Sequence, residues 1–394
     1  MKTDQEIIDL IIGGATRRQL AKEHGVGSTR HERLYKLAAI RGFSPEHDMN
    51  KPVPEGFKLA RHSQYYDKEG KPTNKWVIAK PDQIRQDEML RACVSALVDE
   101  IPKYKPIKFK GTRLDRDIIP WFNIGDAHIG ALASEEEILM DNDISITEAE
   151  LMAAMTKLID DAPATERCVI NDIGDATHYQ TNEAVTESGH KLDYDTRYYK
   201  MMRAYARVMR SLIEYALTKY KYVDVIINQG NHSRSNDIAF REFCADFYRK
   251  EKRLCFLPNS NVHIPYRMGN AFIVVHHGDK TRGRKLADVM AHDYSNDFGE
   301  ARFKYAWSGH VHHSGVRKDD NGVISESFGT MSRGDKYAHD GGWRNRKCMT
   351  MVKMSKTYGE LGRDQVPIEM VIDIVNKSKP GTYIKNSRPK VHTV

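Results

Sequence analysis

Cysteine is scarce and scattered in this 394-residue chain. The five cysteines form no Cys-x-x-Cys pair, and an odd, dispersed set fits neither a disulfide framework nor a thiolate zinc site. We therefore expect reduced thiols buried in the fold. They are Cys93, Cys168, Cys244, Cys255 and Cys348.

Long hydrophobic runs are also missing. The mean hydropathy is −0.62, and no run approaches the roughly 18 apolar residues that a membrane helix needs. The N-terminal sequence MKTDQEIIDLII is acidic with a short apolar run, which does not resemble a signal peptide. These absences predict a soluble, cytoplasmic protein with no membrane partner, and 40% hydrophobic residues suffice for a substantial core.

Internal repeats and low-complexity tracts are absent from the sequence. A length of 394 residues predicts two or three distinct domains, or one large domain with additions. The formal net charge is +7 and the isoelectric point is about 8.9. This mildly basic balance permits a nucleic-acid partner without requiring one.

Residues 1–45 have the pattern of a small all-α helix-turn-helix domain. A helix DQEIIDLII can be capped by Thr3 or Asp4, a second helix follows Thr16 with Gln19 in a capping-box spacing, and Ser28 is the expected cap of a third. Glycines separate the three segments. The residues expected to pack inward are Leu20, Ala21, Val26 and Leu34.

The third helix would present Thr29, Arg30, Arg33 and Lys36 to DNA. The alternative is a three-helix adaptor whose basic face is simply solvated. We favour DNA contact, because the turn chemistry and the basic helix agree.

Residues 46–113 are predicted to form a linker that carries a short hairpin and a helix. The hairpin is HSQYYDKEGKPTNKWVIAK, with its turn at KEGKP, and the helix is PDQIRQDEMLRACVSALVDEI. The sequence indicates no role for this region. At the other end of the chain, residues 376–394 are expected to be a basic, flexible tail.

Residues 114–375 alternate apolar β-branched runs with long helical stretches, which predicts an α/β domain. The expected strands are DIIPWFNI, RCVINDI, YVDVIINQ, AFIVV and KYAW. The expected helices are ITEAELMAAMTKLIDDA and DTRYYKMMRAYARVMRSLIEYALTKY.

Each expected strand ends in a glycine with polar residues beside it. The five blocks are GDAH (125–128), GDATH (174–178), GNH (230–232), HHGD (276–279) and GHVH (309–312). Because ligands bind beyond the carboxyl ends of strands in α/β sheets, these side chains should converge at one edge. Histidine and carboxylate without cysteine suit divalent Mn²⁺, Fe²⁺ or Zn²⁺, and a bridging carboxylate suits a two-metal site.

Taken singly, each residue has an ordinary explanation. Asp126 could cap a helix, Asn231 could occupy a left-handed turn, and His277 could be a hydrogen-bonded core histidine. Coincidence at five strand ends favours the metal site. Whether His276 or His277 points into it is ambiguous, because neighbours on a strand face opposite ways.

The five blocks, in this order, resemble the signature of the calcineurin-like metallophosphoesterases over residues 116–345. With its N-terminal helices, the chain also resembles bacteriophage- and prophage-encoded phosphoesterases of the DNA-repair exonuclease type. The resemblance implies a two-sheet sandwich flanked by helices, and hydrolysis of a phosphodiester, here DNA, in the host cytoplasm. It also implies two divalent metal ions, for which we expect Mn²⁺, with Fe²⁺ and Zn²⁺ as alternatives.

The resemblance also implies roles for individual residues. One metal would be held by Asp126, His128, Asp175 and His312, and the other by Asp175, Asn231, His277 and His310. A hydroxide bridging the ions would attack phosphorus. His232 would be the general acid or a hydrogen-bond donor to the phosphoryl group. His277 is chosen over His276 because the family uses the histidine directly before the glycine.

Two positions depart from the common family pattern. Ser233 stands where many relatives have the acidic residue that orients the catalytic histidine, so the partner of His232 is unassigned. His178 stands where many phosphatases have aspartate, as in the double-strand-break repair nucleases, which favours a catalytic His178 and phosphodiester cleavage in nucleic acid. The alternative for His178 is packing or bonding within its loop.

The segment after the HHGD block is basic. Lys280, Arg282, Arg284 and Lys285 follow His277 closely enough to contact a nucleic-acid backbone, or form a solvated loop. Residues expected to extend this basic wall are Arg333, Lys336, Arg344, Arg346 and Lys347.

Three rival interpretations stay open. The chain could be a phosphatase or small-molecule phosphodiesterase with the same site. It could be a DNA-binding regulator with an inactive metallophosphoesterase domain. It could also work as a homodimer, or cut only with a partner ATPase, neither of which the sequence reveals.

Overall fold

The computed structural model describes residues 2–44, 49–50, 57–69, 71–81, 105–111, 114–181, 184–185, 192–313, 318–320, 322–334, 336–342 and 344–378. The chain divides into two compact units. The first comprises residues 1–92 with 181–183, and the second comprises 93–180 with 184–394.

The first unit begins with three helices, α1 (Asp4–Ile12), α2 (Arg17–His24) and α3 (Ser28–Ile40). Thr3 with Glu6 and Thr16 with Gln19 form capping boxes, so the helices start where side chains satisfy their first amides. Apolar side chains one turn apart pack into a small core. It contains Ile7, Ile8, Ile11, Leu20, Val26, Leu34 and Ala38.

Two local predictions in this unit are wrong. The N-cap of α3 is Gly27, and Ser28 is already the first helical residue, so no side chain caps this helix. Ala21 is exposed, because the buried face of the short helix α2 reaches the core through Leu20 alone.

A predicted hairpin completes the described part of the first unit. A two-residue pair, β1 (Phe43–Ser44) and β2 (Met49–Asn50), precedes the antiparallel strands β3 (Phe57–Tyr66) and β4 (Pro72–Pro81). The turn between them lies at the KEGKP segment, as expected. The helix predicted over 81–101 is wrong at Pro81, which ends β4, and otherwise lies outside the described residues.

The second unit contains a six-stranded sheet in the order β15-β14-β5-β6-β7-β8. Its strands are β5 (Ile118–Ile124), β6 (Arg167–Asp172), β7 (Tyr222–Ile227), β8 (Leu254–Phe256), β14 (Cys348–Ser355) and β15 (Gly359–Pro367). Strands β5 to β8 are parallel, and β14 and β15 are antiparallel additions.

A second sheet has five strands in the order β12-β13-β11-β10-β9. Its strands are β9 (Ile264–Met268), β10 (Ala271–Val275), β11 (Phe303–Ser308), β12 (Lys318–Asp320) and β13 (Val323–Ser327). Strands β10, β11 and β13 are parallel, whereas β9 and β12 pair antiparallel at the edges.

Eight described helices of the second unit accompany the two sheets. They are α4 (Glu135–Ile138), α5 (Ile144–Asp161), α6 (Tyr198–Lys219), α7 (Arg234–Phe247), α8 (Arg284–Asp293), α9 (Ser295–Glu300), α10 (Lys336–Asp340) and α11 (Ile368–Ser378). None of the described helices is long and apolar enough to span a membrane.

Apolar side chains bind the layers together. One cluster lies between the sheets and includes Trp121 of β5 and Trp307 of β11, whose rings meet edge-on at 5.1 Å. The largest cluster packs α5, α6 and α11 onto the first sheet, and a third packs α8 onto the second. The predicted two-sheet sandwich flanked by helices is confirmed.

The structure corrects two expectations, one about the C-terminal segment and one about the burial of the thiols. Helix α11 continues to Ser378, three residues into the segment expected to be a flexible tail, because its apolar face packs on the core; the rest of that segment lies outside the described residues. Cys168, Cys244 and Cys348 are free and buried, whereas Cys255 is free but exposed on the edge strand β8.

Candidate metal centre

The predicted ligand residues follow the carboxyl ends of parallel strands in both sheets. Asp126 and His128 follow β5, Asp175 follows β6, Asn231 follows β7, His277 follows β10, and His310 with His312 follow β11. Parallel pairing carries these five loops to one edge of the sandwich, where the side chains meet.

The backbone at these loops is strained. Six non-glycine residues among those described have positive φ, and five of them are predicted metal ligands. These five are Asp126 (44°), His128 (45°), Asp175 (54°), His310 (67°) and His312 (57°). Such conformations cost free energy and persist where surrounding structure holds a functional geometry.

The first group of ligand atoms comes from Asp126, His128 and His312 and fits within 4.8 Å. His128 Nε2 lies 3.0 Å from His312 Nε2, which in turn lies 3.6 Å from Asp126 Oδ1. The amide of His310 donates to both carboxylate oxygens of Asp126 at 3.0 Å and fixes the carboxylate.

The second group comes from Asp175, His277 and His310, also within 4.8 Å. His277 Nε2 lies 3.0 Å from Asp175 Oδ2 and 3.0 Å from Asn231 Oδ1. The same nitrogen is 4.0 Å from Asp126 Oδ1, so the two groups adjoin.

The two adjacent histidines of the HHGD block point to different places, and only one of them faces the centre. His277 Nδ1 donates to the carbonyl of Ile173 at 3.1 Å, which leaves Nε2 for the centre. His276 Nδ1 accepts the amide of Gly278 at 2.7 Å, and its ring stacks on His263 outside the centre.

The histidines of the centre differ in charge. Burial disfavours charge on His277, but Asp175 and Asp126 outweigh it and raise its pKa to about 10. Burial, with the nearby His232, lowers the pKa of His128 well below its usual value, and burial with Lys347 lowers the pKa of His312 to about 3. Both rings are therefore neutral, the form that binds metal.

The buried carboxylates of the centre have histidines beside them, but no lysine or arginine among the described residues pairs with Asp126 or Asp175. Burial raises the pKa of Asp126 to about 7. Burial also disfavours charge on Asp175, but His277 outweighs it and holds that pKa well below normal. A buried carboxylate pair with oxygen and imidazole donors around it fits two metal ions.

His178 and His232 lie beside the first group. His178 Nδ1 is 3.2 Å from His128 Nδ1, so one ring nitrogen donates to the other. His232 Nδ1 donates to the backbone carbonyl of His178 at 2.9 Å, and the amide of His232 donates to Asp175 Oδ1 at 2.7 Å. A backbone carbonyl thus orients His232.

Ser233 supports the same turn in another way. Its hydroxyl donates to Asp237 Oδ2 at 2.6 Å, and the amide of Gly230 donates to the same oxygen at 2.9 Å. The acid that braces this loop is therefore Asp237, one turn into α7. Sequence reasoning missed it because an acid was expected directly after the GNH block, whereas Asp237 lies four positions beyond Ser233.

Further supporting residues were also missed. Asp172 accepts from the hydroxyl of Tyr205 at 2.7 Å and the amide of Gly174 at 3.1 Å, and burial raises its pKa to about 6. Thr330 Oγ1 donates to the carbonyl of Asp126 at 2.6 Å. An acid at the end of an apolar strand, as in VIND, was the available signal for Asp172.

The predicted basic loop is exposed. Lys280, Arg282, Arg284 and Lys285 form no ion pair with the described residues. Burial is the main cause of the lowered pKa of His310, and the positive charge of nearby Arg282 lowers it further. The loop therefore presents free cations close to the second ligand group.

Part of the expected basic wall has another role. Arg333 is buried and pairs with Glu150, with Nε 3.0 Å from Oε1, so it cannot reach a ligand on the surface. Lys336 pairs with Asp340 at 2.8 Å within α10. Arg333 was therefore wrongly placed in the basic wall, whereas Lys336 remains exposed at the surface.

The cations of α3 are partly neutralised. Asp4 accepts from Arg30 at 2.7 Å and also pairs with Arg33, and the hydrogen bond from Arg30 lowers the pKa of Asp4. Lys36 is exposed. Of the three predicted cationic contacts on α3, only Lys36 therefore lacks this acidic partner.

Two solved structures of other proteins resemble the chain. The phosphoesterase YfcE from E. coli is 15% identical with a TM-score of 0.30, and the match covers 64% of this chain and 100% of that one. The 5'-nucleotidase from Candida albicans SC5314 is 9% identical with a TM-score of 0.37, over 69% of this chain and 56% of that one. No protein-family model matches, and no curated protein is similar enough to match.

Proposed function

We propose that this chain is a two-metal phosphodiesterase of the calcineurin-like metallophosphoesterase type, and that its substrate is DNA. The observation that carries the proposal is the position of Asp175. Its Oδ2 lies 3.0 Å from His277 Nε2 of the second group, and its Oδ1 accepts the amide of His232, whose ring meets that of His128 of the first group at 4.8 Å.

The metal ions would be held by the seven predicted ligands, with Asp175 shared between them. Divalent cations bound there supply positive charge for phosphoryl oxygens and lower the pKa of bound water. We propose Mn²⁺, because the ligand set mixes imidazole with hard oxygen donors.

The chain's own contribution is to bind and orient the substrate. Because His232 Nδ1 faces a carbonyl oxygen, it must carry a proton, which leaves Nε2 to exchange a proton with the leaving oxygen or donate to a phosphoryl oxygen. His178 would act through its contact with His128, and its carbonyl would hold His232 in place.

DNA as the substrate is supported by unpaired cations. The exposed basic loop of Lys280, Arg282, Arg284 and Lys285 begins three residues after the ligand His277, where a polyanion's backbone could bind. On α3, the exposed Lys36 offers a second DNA contact, while Asp4 holds Arg30 and Arg33.

The test is a time course on end-labelled and internally labelled single- and double-stranded DNA. Protein stripped of metal and then supplied with Mn²⁺ should cut DNA, and Asp175→Ala should abolish cutting together with Mn²⁺ binding. The matched control is Asp288→Ala, an exposed acid on α8 that contacts no ligand residue.

Other outcomes would favour the rivals. Hydrolysis of nitrophenyl phosphate without cleavage of DNA would indicate a phosphatase or small-molecule phosphodiesterase. A reconstituted protein with no bound metal would indicate a regulator whose metallophosphoesterase domain is inactive.

A further inference from the structure

The β3–β4 ribbon, residues 57–81, is strongly basic. It has six lysines and arginines and two acidic residues: Lys58, Arg61, Lys68, Lys71, Lys75 and Lys80 against Asp67 and Glu69. Both acids are used within the turn. Asp67 Oδ1 accepts the amides of Glu69 at 2.9 Å and Lys71 at 2.8 Å, and Glu69 pairs with Lys71 at 3.6 Å.

Large apolar side chains of the ribbon are exposed to solvent. Trp76 is 67% exposed, Tyr66 61%, Tyr65 60% and Ile78 55%. By contrast, Trp121 and Trp307 of the second unit are fully buried. An exposed tryptophan flanked by exposed tyrosines is unusual for a surface with no partner.

The strand register places the main aromatic, apolar and basic side chains of the ribbon on one face. Trp76 pairs with Ser63, Ile78 pairs with Arg61, and Tyr65 lies two residues from Ser63 on the same strand. Because alternate residues and directly paired residues share a face, Tyr65, Trp76, Ile78 and Arg61 lie side by side. This face therefore combines two aromatic rings with an exposed guanidinium that makes no ion pair with the described residues.

We propose that this face of the β3–β4 ribbon binds single-stranded DNA, with bases stacked on Trp76 and Tyr65 and phosphates held by the exposed Arg61 and Lys80. The proposal rests on the proposed function in taking DNA as the substrate. Stacking needs the open faces of unpaired bases, which a duplex does not offer. The cations would neutralise phosphates and release counterions.

A second copy of the chain fits this surface less well. Two identical ribbons would each carry an excess of four positive charges, six minus two, and like charges oppose close approach. A two-stranded ribbon is also marginally stable alone, so covering its rings with bases would stabilise it.

The experiment measures binding and not cleavage, using the full chain in chelator with labelled oligothymidine and with duplex DNA of equal length. We expect Trp76→Ala and Tyr65→Ala each to weaken single-strand binding about tenfold and to leave duplex binding unchanged. Trp76→Phe should retain most of the affinity. Arg61→Ala should reduce the salt dependence by about one phosphate contact.

Tyr358→Ala is the matched control, since Tyr358 is 66% exposed in a turn of the second unit. Unchanged single-strand affinity in the Trp76→Ala Tyr65→Ala double variant would overturn the proposal. So would a loss of self-association in that variant with DNA binding intact, or tighter binding of oligouridine than of oligothymidine. Failure of the nuclease assay with the ribbon effect intact would overturn the proposed function alone.

Discussion

Gly230 lies directly against the carboxylate of Asp175. A Cβ at Gly230 would come within 2.0 Å of Asp175 Oδ1 and 2.1 Å of its backbone nitrogen. The loop after β7 can therefore approach the loop after β6 only because residue 230 has no side chain. This contact sets the position of Asn231 and His232 relative to the shared carboxylate.

Substituting Gly230 should therefore disable the centre. Gly230→Ala must displace Asp175, and a displacement near 1 Å costs about a hundredfold in rate. We expect loss of Mn²⁺ binding by elemental analysis and a matching loss of phosphoesterase activity. Gly299→Ala is the control, because a Cβ at that helical glycine meets nothing within 4 Å. Normal metal content in Gly230→Ala would contradict the packing argument.

His178 should affect metal binding through His128. Its Nδ1 is 3.2 Å from His128 Nδ1, a contact that sets which nitrogen of His128 faces the metal. His178→Ala should weaken Mn²⁺ binding about 10- to 100-fold, measured by calorimetric titration. His292→Ala, at an exposed helical site, should bind normally. If His178→Ala kept full metal affinity but lost cleavage, the side chain would act on the substrate instead.

Asp4 should oppose DNA binding by the α3 face. Asp4→Asn would free Arg30 and Arg33, so we expect tighter DNA binding with a steeper salt dependence in fluorescence anisotropy. Asp9→Asn makes the same charge change on the same helix without touching either arginine. Equal effects of both variants would show that net charge alone, and not release of these arginines, is responsible.

The pH dependence of this pairing follows from the lowered pKa of Asp4. A carboxyl whose pKa is lowered by folding stabilises the folded unit at pH values above the pKa that it has in the unfolded chain. This contribution disappears as the pH falls through the pKa that it has in the folded unit. We therefore expect the difference in DNA binding between Asp4→Asn and the parent chain to be constant from pH 6 to 8 and to shrink only in acid.

Arg333 should matter for stability and not for ligand binding. It forms a buried pair with Glu150, and removing one partner of such a pair costs about 3–5 kcal/mol. Arg333→Met should lower the free energy of unfolding by this order in urea titrations. Lys336→Met breaks an exposed pair and should change it by about 0.5 kcal/mol or less. Near-wild-type stability of Arg333→Met would argue against this role.

Local patterns predicted much of the architecture. The cap of α1, the capping box at Thr16, the β-branched run AFIVV and the hairpin turn at KEGKP (68–72) each depend on interactions within a few residues, so they can be recognised in the sequence. The convergence of five strand ends followed as well, because parallel α/β topology brings carboxyl ends to one edge. The wrong N-cap of α3 was also a local error, because Gly27 and Ser28 are neighbours and the cap lies one residue earlier than predicted.

Contacts between distant segments could not be predicted in this way. The partner of His232 is a carbonyl 54 positions away, and Arg333 is matched to Glu150 across 183 positions. The sequence by itself determined which residue types stand at the strand ends, because that follows from periodicity and glycine placement. Only the tertiary structure decided that His277 and not His276 faces the centre, and that Arg333 is buried. Side-chain direction and burial depend on how separate segments pack.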